Sequence, residues 1–263
     1  MKKFMLFLSV IMGQILFAGP QLAGLALESN ATAINLGDSA LLTVSAAYAD
    51  GHTEEVTEHI VWEITPADSA EIKGNVLTAK KDGQVNIKAK VDNLVSDALV
   101  LDIYWEVNGH KLPPEPDKAI NDSTLLGIDV NHNDVRDDVE RWIYEEYKDK
   151  HPIHIDIAMQ AARGYKLVLE TPEKAKEIHE KVDAAIYCEI HYRTYYKYCD
   201  DMQLVTEDRI SSDYFIRKIY FNTVERVSKY LQFDKLLSGD SYTTPRPCEG
   251  KNFCDFNTSK YKE

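Results

Sequence analysis

Past residue 26 the chain contains no apolar run long enough to cross a bilayer. It also has no phosphate-binding glycine loop, no G-x-S-x-G, no H-E-x-x-H, no C-x-x-C and no C-x-x-C-H. These absences remove the short-motif arguments for nucleotide, serine-hydrolase, zinc-protease, thiol-redox and haem chemistry, although they do not exclude an enzyme. Basic residues are scarce as well: 30 Lys and Arg stand against 43 Asp and Glu, a formal net charge of −13. A chain this acidic repels phosphate backbones, and no basic stripe offsets it, so nucleic acid is excluded as a partner. Cysteine is absent before Cys188; Cys188, Cys199, Cys248 and Cys254 complete the set.

What is present begins with an address. Lys2 and Lys3 precede an apolar stretch, residues 4–18, followed by the small residues Ala18, Gly19, Ala23 and Gly24. This order predicts a secretory signal peptide, residues 1–18, cleaved after Ala18 or Gly19. Leu16 is bulky for the position before cleavage, so an uncleaved N-terminal anchor is the alternative. No cysteine lies beside the apolar stretch, which excludes a lipoprotein anchor. Removal of Lys2 and Lys3 takes the formal charge to −15. The expected location is periplasmic or secreted, at the cell surface of a bacterium. In that oxidising setting four cysteines imply two disulfides.

Residues 25–104 read as short strands. ALLTVSAAY (40–48), HIVWEIT (59–65), NVLTA (75–79), QVNIKAKV (84–91) and ALVLDIY (98–104) largely alternate and are rich in β-branched side chains. Turn signals at 36–38, 49–51, 65–68 and 81–83 separate them, which predicts a small β-sandwich. Gly37, Leu42, Val44, Tyr48-Ala49-Asp50-Gly51, Val56-Thr57, Trp62, Gly74-Asn75-Val76-Leu77-Thr78-Ala79 and Gly83, in that order, resemble the bacterial Ig-like domain of group 2. The resemblance covers about a third of the chain. It implies a sandwich with Trp62 as core aromatic and a stalk, adhesion or accessory role on an exported protein.

Residues 105–126, with Pro113, Pro114 and Pro116, predict an extended, semi-rigid linker. Residues 127–263 then change to a helical period. Val135, Val139, Trp142, Ile143 and Tyr147 share one helical face. Residues 154–170 predict a second helix. Thr171-Pro172 predicts the capped start of a third, and residues 208–236 a fourth. The fold class expected is an all-β Ig-like sandwich followed by an all-α, disulfide-stapled helical bundle. No known family is resembled by the helical half as a whole.

One stretch in it carries site chemistry. In GIDVNHNDVRDDVERWIY (127–144), Asp129, Asn131 and Asn133 fall at positions 1, 3 and 5 of a twelve-position calcium loop. Val135 falls at 7, where a backbone carbonyl serves, Asp137 at 9 and Glu140 at 12, where a bidentate carboxylate belongs. The stretch resembles the loops of EF-hands, dockerins and thrombospondin type 3 repeats, which implies a structural Ca2+. Asp134 replaces the glycine expected at position 6, a site of positive φ that Asp tolerates. The alternative is a polar turn in which Asn133 or Asp134 caps the helix and Asp137 and Asp138 favour its positive end.

For the disulfides, Cys188 and Cys199 lie on one predicted helix, ~16 Å apart, too far to pair with each other. The tail holding Cys248 and Cys254 spans roughly 20 Å if extended. A tail restarting near that helix's N-terminal end predicts Cys188–Cys248 and Cys199–Cys254; a broken helix would allow Cys188–Cys199 with Cys248–Cys254. Other constellations carry less: the tyrosines of 187–199 spread over several helical faces, His151 and His154 flank Pro152, and His179 and Asp183 share an ordinary helical face. The function expected is that of a non-enzymatic exported envelope protein. Its Ig-like module would space or present a calcium-stabilised helical domain that binds a surface protein or glycan. The alternatives are a periplasmic, glycan-acting enzyme and a structural subunit of an envelope assembly.

Overall fold

The computed structural model describes residues 21–195 and 215–261; the expected signal peptide, 1–18, lies outside them. The chain divides into two compact units, Met1–Asp102 and Ile103–Glu263. Among the described residues no helix is long and apolar enough to cross a membrane.

The first unit is built from two five-stranded sheets. One runs β1 (Leu22–Ser29), β3 (Ser39–Tyr48), β7 (Val76–Ala79), β6 (Ala70–Lys73), with β4 (Thr53–Val56) also paired to β3. The other runs β2 (Ala33–Asn35), β10 (Leu99–Tyr104), β8 (Gly83–Val91), β5 (Val61–Thr65), with β9 (Leu94–Val95) on β8. Side chains alternate sides along a strand, so an alternating sequence buries one face. On β3 that face is Ala40, Leu42, Val44 and Ala46; on β8 it is Val85, Ile87 and Ala89, with Gln84, Asn86, Lys88 and Lys90 exposed between. Register keeps apolar groups together: Val44 lies opposite both Leu27 and Val56, and Ile64 opposite Ile87. Each large aliphatic buried this way contributes about 1.5–3 kcal/mol. Trp62, expected in the core, is only partly buried, and its indole N–H donates to the Gly74 carbonyl at 2.9 Å.

The second unit takes in the proline-rich stretch expected as a linker. β11 (Glu106–Val107) and β12 (His110–Lys111) form a hairpin. Its turn is Asn108-Gly109, both at positive φ (52° and 80°), the conformation a two-residue hairpin turn demands. Val107 and Leu112 are buried, and Arg141 donates to the Pro113 carbonyl at 2.8 Å while lying over the Trp105 ring. Those contacts replace the free solvation that would leave a connector mobile, so the unit boundary falls at Asp102/Ile103 instead of within 105–126. The helices are α1 (Lys118–Asp122), α2 (Asp137–Tyr147), α3 (Ile153–Glu170), α4 (Ala175–Ile190) and α5 (Val224–Leu237). Val139 and Ile143 of α2, Ile157, Val168 and Leu169 of α3, and Val182 and Ala185 of α4 share one core.

Two helix boundaries differ from the expectation. Thr171 does not cap α4; its hydroxyl donates back to the Leu167 carbonyl, closing α3, and Pro172–Lys174 forms a 3-10 turn before α4. The expected helix over 208–236 is interrupted. Its described part is a π-helical turn, Phe215–Tyr220, followed by α5, which starts afresh at Thr223. Thr223 is extended (φ −120°, ψ 157°) and accepts from the Arg226 N–H, as N-cap residues do.

The disulfide pairing is a correction. Cys188 is bonded to Cys254, with Cα atoms 5.2 Å apart, so neither Cys188–Cys248 nor Cys199–Cys254 holds. Cys248 is also disulfide-bonded, and Cys199 lies outside the described residues. The tail does restart beside the N-terminal part of α4, where Asp240 pairs with Lys176 and the Tyr242 ring packs, tilted, against His179. It then ceases to be extended. Pro247–Phe253 is a 3-10 helix, which rises only ~2 Å per residue. Gly250 reaches Tyr187 and His191, and the chain turns so that Phe253 meets Tyr187 and Cys254 meets Cys188.

Candidate functional site

The loop between α1 and α2 begins at Gly127, whose φ is +72° and whose missing side chain makes room for a neighbour. A Cβ there would meet Arg136 Cδ at 2.2 Å. Arg136, 3 % exposed, folds back over the loop and donates to the Ile219 and Tyr220 carbonyls at 2.8 and 3.1 Å while pairing with Asp138. The Asp137 N–H donates to the Ile128 carbonyl at 2.8 Å, closing the loop against the helix start.

Within the loop Asp129, Asn131, Asn133 and Asp137 each hold backbone. Asp129 accepts from the N–H groups of Asn133 and Asp134 at 3.2 and 3.1 Å. Asn131 accepts from the Asn133 N–H at 3.3 Å, and Asn133 from the Val135 N–H at 2.9 Å. Asp134 sits at φ +66°, the left-handed conformation expected of position 6, and His132 at +56°. Asp137 accepts from the Val130 N–H at 3.1 Å. Glu140 is the hub: one carboxylate oxygen accepts from the side-chain amides of Asn131 and Asn133 at 3.0 and 2.8 Å, and the other contacts His110 Nε2 at 2.7 Å. Asp137 and Glu140 are both wholly buried. Val135 is buried too, in the core of the second unit.

The structure therefore gathers Asp129, Asn131, Asn133, Asp137 and Glu140 into one linked cluster. It does not place Asn133 or Asp134 at the helix N-cap. That position is Arg136, which makes no side-chain cap bond, while Asn133 turns to Val135 and Asp134 pairs with Lys166 of α3. The acidic first turn of the capped-turn reading is present, in Asp137, Asp138 and Glu140.

The electrostatics are unbalanced. Burial pushes the Asp137 carboxyl up to about 6, the Val130 N–H opposes this, and the charges of Asp129, Glu140 and Asp138 add to the rise. The Lys166 ammonium holds Asp134 below the usual carboxylate range. Among the described residues, no three His, Cys, Asp or Glu side chains are grouped so as to hold a metal. The donors in the loop are mixed, three carboxylates and two carboxamides, and both amide nitrogens face Glu140.

Sequence reasoning missed His110, Arg136 and Lys166, the three residues that tie the loop to β12, to residues 219–220 and to α3. His110 stacks on Tyr144 at 4.4 Å. Its one local signal is the Asn108-Gly109 turn, which fixes the hairpin that delivers it. The minor constellations are otherwise engaged. Asp156 takes Tyr261 and Lys260, His154 stacks on Tyr147, and burial raises the Asp183 carboxyl. Of the tyrosines, Tyr187 packs on Phe253 and Tyr192 is buried; the side chains of Tyr195, Tyr196 and Tyr198 lie outside the described residues. Compared with known proteins, the chain matches no protein-family model and no curated protein.

Proposed function

We propose that this is a non-enzymatic exported protein of a bacterial envelope, whose second unit is clamped by a structural Ca2+ in the loop 129–140 and binds a surface protein or glycan. One observation carries the calcium reading: in a loop with the spacing of a calcium loop, Asn131 and Asn133 converge on the wholly buried Glu140, beside the buried Asp137, and the intervening turn is at positive φ. A hard cation takes six to eight oxygens. Asp129, Asn131, Asn133, Asp137 and Glu140 would supply side-chain oxygens and Val135 its carbonyl. The two amides would turn over to present oxygen in place of nitrogen. The ion would offset charge that the buried carboxylates otherwise carry with few cationic partners, so its role is that of a clamp between loop and helix.

We read the first unit as a bacterial Ig-like sandwich that spaces the second from the surface, supported by its two sheets with one buried face each. Export rests on the signal-like N-terminus and on the disulfide, a bond of oxidising compartments.

The test is a thermal melt of the oxidised protein in excess calcium and then in chelator. Saturation about a hundredfold above Kd adds roughly 2.7 kcal/mol. For a domain of this size, at about 2–4 °C per kcal/mol, that raises the midpoint by about 5–10 °C. Asp129→Ala with Glu140→Gln removes the shift. An equal midpoint in calcium and chelator sinks the clamp.

A further inference from the structure

A cavity of about 560 Å3 lies between α3 and α4, within the size range of small-ligand sites. The helices meet closely beneath it. A Cβ on Gly164 would stand 3.2 Å from the Val182 Cα, so backbone forms the floor and the flanking side chains form the walls. Leu167 and Ala184 supply an apolar surface from the helices, and Phe253 supplies a ring from the tail. Phe253 and Asp255 flank Cys254, so the bond to Cys188 fixes this wall covalently.

Three cations stand around that surface: Arg163, Lys166 and Lys181. Three carboxylates, Asp134, Glu170 and Asp255, line it too, so the cavity is formally neutral in a chain of net charge −13. These carboxylates already face two of the cations. Asp255 takes Arg163 through two bonds of 2.9 and 2.8 Å, while Asp134 and Glu170 face Lys166. Lys181 is exposed and has no ion-pair partner among the described residues. It is the one cation of the lining that no described carboxylate faces.

We propose that this cavity binds a small organic anion with an apolar body. The carboxylate meets Lys181 and shares the guanidinium of Arg163, and the body lies on Leu167, Ala184 and Phe253. A neutral ligand would leave Lys181 unanswered, and a cation would compete with Arg163 and Lys166 for the carboxylates they already face. The site adjoins the calcium loop at Asp134, but none of the residues proposed to hold the anion is a proposed ion ligand.

The probes are 4-phenylbutyrate and its uncharged amide, titrated calorimetrically into the oxidised full chain. The carboxylate binds, and the amide binds at least severalfold more weakly. Lys181→Glu weakens the carboxylate about five- to tenfold, the range for losing one exposed ion pair and setting a like charge in its place. Ala184→Phe fills the cavity and abolishes binding. Lys181→Glu lies on the surface, so its melt matches the parent and it keeps the test sound should Ala184→Phe disturb folding. Three results overturn the proposal: no binding at up to about 10 mM, equal binding of acid and amide, or full binding by Lys181→Glu.

Discussion

The two units bury different things. Among the described residues of the first, the buried polar ones are two serines, Ser69 and Ser96, and the core is otherwise aliphatic. In the second, Asn121, Arg136, Asp137, Glu140, Arg141, His154, Gln160, His191 and Arg226 are all buried. Strands satisfy their backbone groups against one another and need only an apolar face. The second unit contains long stretches that are neither helix nor strand, and their carbonyls must be answered by side chains. Arg226 shows this most plainly. With no exposed surface, it donates to the carbonyls of Asn121, Thr124 and Leu125 at 2.8, 3.0 and 3.0 Å and pairs with Asp122 at 3.1 Å. One side chain thereby pins the turn after α1 to the start of α5.

That contrast breaks first at Arg226. Arg226→Met should cost the second unit about 3–5 kcal/mol, because three carbonyls lose the donor that a wholly buried guanidinium supplies. Hydrogen exchange resolved by residue should show deprotection of 103–261 and an unchanged first unit. Arg226→Lys should not rescue, since an ammonium cannot reproduce the guanidinium fork.

Next is the disulfide. Peptide mapping without reduction should recover a linked fragment containing Cys188 and Cys254, and Cys188→Ser with Cys254→Ser should cost about 2–4 kcal/mol. Again the loss should fall on the second unit alone.

A pH titration sharpens the comparison from a different side. Asp137 has a folded-state value raised to about 6 from an ordinary 3.8. The folded state therefore holds this proton more tightly, and the stabilisation is complete below about pH 4 and lost as pH rises through 6. In chelator, second-unit stability should fall across that window by up to about 3 kcal/mol from this group. Asp137→Asn should flatten the fall. With calcium bound the slope should reverse, because the ion needs the carboxylate deprotonated. The smallest effect expected is in the first unit: Trp62→Phe removes one hydrogen bond, worth about 0.5–1.5 kcal/mol, measured by denaturant unfolding.

What the sequence made legible follows the same division. The long strands β3, β8 and β10 declare themselves by alternation over six to ten residues. The strands β2, β4, β6 and β9, two to four residues each, are too short to show a period. In the second unit the cluster of Asp129, Asn131, Asn133, Asp137 and Glu140 was readable because its spacing is local. Its supports were not, since His110 lies 30 residues and Arg136's acceptors 83 and 84 residues away. The disulfide pairing failed for a narrower reason: the order Cys248, Cys254 gives no hint that the segment between them shortens into a 3-10 turn.

The C-terminal tail carries a last consequence, for the order in which the protein can assemble. Beyond Cys254 it runs back along α3, with Asp255 on Arg163 and Tyr261 on Asp156, pairings that span 92 and 105 residues. Gly250 passes so close to the Tyr187 carbonyl that a Cβ would stand 2.6 Å from it. Synthesis delivers residues 240–261 after every helix they fasten. Until then α3 and α4 wait with one flank bare, a long-range closure that is slow and exposed to aggregation. A bulkier residue at position 250 would therefore show itself first as a loss of yield, before any change in the finished molecule's binding.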